Sequence, residues 1–171
     1  MNFVYNKDSY LITLGKKYIM SRSTVNRSNT PTMLKVFDNI EKFMPSYQVN
    51  ALKQNMLGEE GSFFVDLAKD IDETIRTMPK TYDCKDSSNP QVHLHYFFRG
   101  CDWYIIEKDK EGKRTEQAFG FAILHEDTDN AELGYISIDE LLSVDGVQMD
   151  FYFKKVDLNT IKREKGIRVR N

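Results

Sequence analysis

The chain has 171 residues, 40% apolar and 29% charged, with 24 Lys and Arg against 26 Asp and Glu, a net charge of -2. That length supports one domain with a true core rather than two large ones, and the composition excludes wholesale disorder and collagen-like or coiled-coil architecture. The small net charge hides a division, since residues 1–35 sum to +5, residues 36–153 to -12 and residues 154–171 to +5; an acidic body argues against a general nucleic-acid-binding domain.

Taken in chain order, Tyr10–Leu14 and Tyr18–Met20 flank Gly15-Lys16-Lys17 and predict a small hairpin, followed by a polar, basic loop to residue 30. Thr30-Pro31 is a helix start, with Met33, Leu34, Phe37, Ile40 and Met44 on one face and Pro45 as the stop. Ser46 is placed to cap a second helix presenting Val49, Leu52 and Met56. Gly61-Ser62 opens a third, with Phe63, Phe64, Leu67, Ala68, Ile71 and Ile75 as its packing face, ended by Met78-Pro79. From Val92 the period falls toward two. Strands are expected at Val92–Phe98, Asp102–Glu107, Gln117–His125 and Ala131–Ile136, with Arg99-Gly100-Cys101 a tight turn and Lys108–Arg114 a charged loop. Ser137 and Glu140 form a capping-box pair before a short helix through Leu142, and Val147–Lys154 alternates with Val147, Met149, Phe151 and Phe153 on one face. The expected fold is α+β: a twisted antiparallel sheet of four to five strands in the C-terminal half, packed by helices from the N-terminal half. Its parts are a hairpin and basic loop at 1–30, a helical segment at 31–78, a sheet module at 79–156 and a basic tail at 157–171.

The run Met78-Pro79-Lys80-Thr81-Tyr82, then His95-Tyr96-Phe97, Asp102–Glu107, Phe119-Gly120, Glu132–Ser137, Glu140-Leu141 and Asp150–Phe153 resembles, in order and spacing, the family called domain of unknown function 2958. The resemblance covers residues ~74–156. It implies a small protein or module of phages, plasmids or conjugative elements, and carries no activity or catalytic residue with it.

No run approaches the ~20 apolar residues of a membrane span, and the polar N-terminus lacks a signal core. With only Cys84 and Cys101, reduced thiols in a cytoplasm are expected, the host's if the gene is a phage's. His93 and His95 stand two apart in a predicted strand and so share a face, the best metal-like spacing present, with Glu107, Glu132, His125 or Cys101 as further ligands by availability. Both histidines also fit a sheet face that binds nothing. Glu107 and Glu132 sit within apolar strands, where a shared cleft would make them an acid and base pair and simple alternation would turn them to solvent. Trp103, Tyr104, Phe119, Phe121 and Tyr135 read as sheet core or as a base-stacking platform. Ser137 and Ser143 lie in no nucleophile pattern, and Cys84 reads as a plain exposed thiol or a reactive one. Lys162, Arg163, Lys165, Arg168 and Arg170 make the tail either a phosphate-holding arm or a solvated segment folded back on the acidic body. No cofactor is implied. Three functions follow: a phage or mobile-element accessory protein that binds a protein partner, with countering a host defence as its setting; a nucleic-acid-associated module using tail and aromatic face; and a small metal-dependent hydrolase.

Overall fold

The computed structural model describes residues 30–110 and 117–169. The hairpin expected over 10–20, the basic loop after it, residues 111–114 of the charged loop and Arg170 lie outside the described residues. Among the described residues three helices come first, α1 (Thr30–Phe43), α2 (Ser46–Asn55) and α3 (Gly61–Thr77). Strands β1 (Gln91–Val92), β2 (Leu94–Phe98), β3 (Cys101–Glu107), β4 (Ala118–Leu124) and β5 (Asp127–Ile136) follow, then α4 (Ile138–Ser143), β6 (Gln148–Met149), β7 (Val156–Asp157) and α5 (Leu158–Glu164). The fold is α+β, with a five-stranded antiparallel sheet in the order β5-β4-β3-β2-β6 and a separate β1–β7 pair.

The helices bury Phe37, Ile40, Val49, Leu52, Val65, Ala68, Ile71 and Ile75 in one cluster with Leu94, Tyr96 and Ile105 of the sheet. Phe63, expected on the α3 packing face, is 51% exposed instead. The inner stripe runs through Val65, and a residue two positions earlier is turned about 200° around the helix. Ser46 is the first residue of α2 rather than its cap; Pro45 holds that position without a side-chain bond.

Two helix ends are closed by sheet side chains. The Tyr96 hydroxyl, fully buried, donates to the Phe43 carbonyl, and Lys108 Nζ donates to the carbonyls of Ile75 (2.8 Å) and Arg76 (2.7 Å). Those carbonyls have no partners within their own helices, so these bonds meet an obligatory need and fix the helices against the sheet.

The opposite face of the sheet is also covered. Tyr104, Phe121 and Ile123 pack there with Val92 and with Leu158 and Ile161 of α5. The segment expected as a basic tail is therefore a docked helix: Leu158 and Ile161 are its buried positions, and its entry is tied down by Leu158 N–H donating to the Pro90 carbonyl (3.0 Å) and Asn159 N–H to Asn89 Oδ1 (2.9 Å).

Strand limits differ from expectation at three places. The first strand breaks at His93 into β1 and β2. The turn before β5 is His125-Glu126, both at positive φ (55 and 61), so β5 starts at Asp127 rather than Ala131; no glycine marks this turn. Only Gln148–Met149 of the expected strand 147–154 pairs. Asp150 then accepts from Tyr152 N–H (3.0 Å) and folds the chain into a turn, which sends Phe151 to the helix-side cluster and Phe153 to the other face. Ser137 does cap α4, accepting from Glu140 N–H at 3.2 Å.

Candidate functional site

The histidine pair does not form a site. His93, 7% exposed, has an Nδ1 without a hydrogen-bond partner, and its cationic neighbours Lys108 and Lys155 are themselves bonded to the last residues of α3. Burial, reinforced by Lys155 and Lys108, lowers its pKa to about 4. His95 faces elsewhere, stacked on Tyr104 with ring centroids 4.6 Å apart. The strand break at His93 undoes the two-residue periodicity on which the shared face rested. Among the described residues no group of three or more His, Cys, Asp or Glu is placed to hold a metal ion.

Glu107 and Glu132 do not converge either. Register sets Glu107 beside Phe119, next to Tyr135, whereas Glu132 pairs with Ala122 farther along the strand. Glu107 is buried, and its two oxygens accept from Tyr82 N–H (3.2 Å) and Cys84 N–H (2.5 Å). That carboxylate shapes the 80–84 loop, which also bonds to the residue after β3, Thr81 N–H donating to the Lys108 carbonyl (2.8 Å). Glu132 is exposed. The Cys84 thiol is pushed up by burial and then by the Glu107 charge, which is the reverse of thiolate activation. Cys101 is buried and accepts from His125 N–H. Both cysteines are free.

The aromatic set is divided between the two faces. Trp103 packs on the helix-side cluster, Tyr104 and Phe121 lie in the other, and Tyr135 is 57% exposed at the sheet margin. Of the tail cations, Lys165 donates to Asp102 (2.6 Å), Lys162 lies 5.2 Å from the centre of the Phe121 ring, and Arg163 bonds Thr160. Arg163 and Arg168 are exposed.

The densest polar cluster is one that sequence reasoning missed. His95 Nε2 lies 2.7 Å from Asp102 Oδ1, and its Nδ1 lies 3.6 Å from Asp150 Oδ2, with Lys165 on the second Asp102 oxygen. Burial would raise the Asp102 pKa, but the hydrogen bonds from His95 and Lys165 outweigh it and hold the carboxyl below its ordinary value. Chemically this is a tether, because it locks α5 onto the sheet across β2 and β3. Asp102, Asp150 and Lys165 are far apart in sequence, so no local spacing marks them.

The sheet margins carry a second arrangement. On the β6 side, Gln48 of α2 donates to the Met149 carbonyl (3.0 Å) and accepts from Met149 N–H (2.8 Å), while the Tyr47 hydroxyl donates to the Val147 carbonyl (2.6 Å). One edge is thereby closed by side chains. The other edge is β5, and among the described residues no strand pairs with its outer side. An advance of two residues on β4 (Ala122 to Leu124) faces five on β5 (Glu132 to Asp127). The excess is taken up by a bulge at the front of β5, in which the Asp127 carboxylate accepts from Asp129 N–H, Asn130 N–H and Asn130 Nδ2. Regular open edge remains at 132–136, where Leu133 is 44% and Tyr135 57% exposed.

This edge lies within the most one-sided stretch of the chain. From residue 115 through 153 there is no Lys or Arg, against nine Asp and Glu, which leaves 36–114 with 11 basic and 14 acidic residues. Most of the acidic excess therefore belongs to the stretch from β4 to β6. Glu126, Asp127, Asp129 and Glu132, on and beside the open edge, are all exposed. No family model, no curated protein and no solved structure matches the chain.

Proposed function

We propose that this chain works by binding a protein partner whose contact surface is basic. The observation that carries the reading is the stretch 115–153, which has nine carboxylates and no cation in sequence, and of which Glu126, Asp127, Asp129 and Glu132 lie exposed on or beside a sheet edge that also exposes Leu133 and Tyr135. Acidic surface beside exposed apolar side chains suits a partner that is first attracted by charge and then held by desolvated contacts. The resemblance to domain of unknown function 2958 supports the biological setting we infer: an accessory protein of a phage or mobile element, acting in the host cytoplasm, with a host defence or nucleic-acid-processing component as target. No helix among the described residues is long and apolar enough to cross a membrane.

The observations lend less to the other two functions. Lys162 and Lys165 are engaged within the molecule, which takes them from a phosphate-binding arm, and His93, His95, Glu107 and Glu132 share no pocket. The test is quantitative capture of partner from the native host by the wild-type chain and by Glu126→Gln/Asp129→Asn/Glu132→Gln. A triple substitution on α3, Asp66→Asn/Asp70→Asn/Glu73→Gln, is the control for net charge. The partner is expected to be lost at least tenfold from the first variant and retained by the second. Equal capture by all three proteins overturns the reading.

A further inference from the structure

The structure also points to how such a partner is held: we infer that an extended segment with alternating apolar and basic side chains adds as a sixth strand to β5. The inference rests on the proposed partner-binding function and makes its site specific.

Three features of the edge define the occupant. First, its backbone is offered to one strand only. The β6 edge is closed by Gln48 and Tyr47, and the front of β5 is distorted by the bulge at Asp127, so, among the described residues, 132–136 are the regular edge of the five-stranded sheet left for pairing. Second, the two faces of that edge differ. Leu133 pairs with Phe121 and Tyr135 with Phe119, placing both on the face away from α1–α3. Side chains of an added strand on that face lie beside two exposed apolar residues. On the helix-side face the sequence of positions is Glu132, Gly134, Ile136, and a side chain built at Gly134 would meet nothing within 4 Å. A long lysine or arginine stem fits over that open glycine and brings its charge to Glu132. Third, charge selects the partner. With Glu126, Asp127, Asp129 and Glu132 at the edge, a second copy of β5 would set like charges against each other, whereas a basic segment is attracted. Native sheets blunt unused edges with charges and bulges. Here those devices stop at Glu132, and the following residues expose Leu133 and Tyr135 where blunting would call for polar side chains.

The probe is a fluorescein-labelled nine-residue peptide alternating lysine and valine, titrated by anisotropy into the full chain. A peptide of the same composition with its lysines in one block, and an alternating peptide N-methylated at every residue, are run beside it. The alternating peptide should bind at least tenfold more tightly than either control, because strand addition needs both the alternation and the backbone N–H groups. Leu133→Lys should weaken it at least tenfold, and Gly134→Val, which the fold has room for, should weaken it by crowding the basic stem without lowering the thermal midpoint. Equal binding of all three peptides, lost on neutralising Glu126, Asp129 and Glu132, would overturn strand addition and leave the acidic-surface reading intact. Absence of binding by any peptide would overturn strand addition at this edge, leaving the capture experiment to decide the broader reading. A dimer in sedimentation that Leu133→Lys dissociates would make a second copy the occupant and overturn the inference as well.

Discussion

Replacing Gln48 by methionine tests whether one sheet edge is sealed by a side chain. The swap keeps length and helix propensity and removes only the amide. Two hydrogen bonds are lost, from Nε2 to the Met149 carbonyl at 3.0 Å and from Met149 N–H to Oε1 at 2.8 Å. Met149 is 2% exposed, so both of its backbone groups lose their partners in a place water reaches poorly. At about 1 kcal/mol for each bond, and more for any group left dry, the cost should be about 2–3 kcal/mol. For a chain of this size that lowers the thermal midpoint by about 4–12 °C. Urea unfolding followed by circular dichroism measures it, with Gln54→Met, an exposed position on the same helix, as the reference. A Gln48→Met stability within about 0.5 kcal/mol of the reference would refute the closed edge, and with it the contrast between β6 and β5.

Three further expectations concern the groups whose charge the fold perturbs. His93 is held neutral in the folded chain with a pKa of about 4, so the unfolded state binds more protons between about pH 4 and 6.5, and stability is complete above that window and falls through it. Its share of the loss from pH 7 to pH 5 is about 2 kcal/mol. His93→Leu should remove that share in paired urea titrations, and an unchanged acid slope would contradict the buried neutral imidazole. Asp102 has its carboxyl below the ordinary value, so its contribution is present above about pH 4 and is lost as pH falls through the lower folded value. Asp102→Asn should destabilise by about 1–2 kcal/mol at pH 7, discounted for the partly exposed Lys165, and should speed hydrogen exchange in α5; exchange in α5 equal to wild type would remove the tether. Cys84 should react with iodoacetamide at pH 8 more slowly than free cysteine, and Glu107→Gln should accelerate it ~3-fold or more by removing the repelling carboxylate. Wild-type reactivity equal to free cysteine would count against that arrangement.

Periodicity made the helices and the order of the main strands legible, because a buried stripe on α3 or a half-buried strand such as β3 leaves a repeat in the residues themselves. The errors fall where a single polar side chain redirects the backbone. Asp150 ends β6 by bonding Tyr152 N–H, and the His125-Glu126 turn adopts positive φ without the glycine that normally announces it. The basic end of the chain reads as a tail because its charge is conspicuous, whereas Leu158 and Ile161 are the only buried positions of its helix. At the candidate sites, proximity in sequence misled: His93 and His95 are two residues apart and serve different neighbours. His95, Asp102, Asp150 and Lys165 meet only through the fold. The acidic stretch 115–153 is readable from the sequence, but its meaning depends on β5 being a margin with no partner strand among the described residues, and that comes from the strand order.

Hydrogen exchange of the full chain with and without the captured partner tests the account most directly. Bound partner should slow exchange at residues 126–136, strongest at 132–136, and leave Met149 on the closed edge unchanged. Protection confined to α1–α3 or to the α5 end, with 126–136 exchanging as in the free chain, would contradict it.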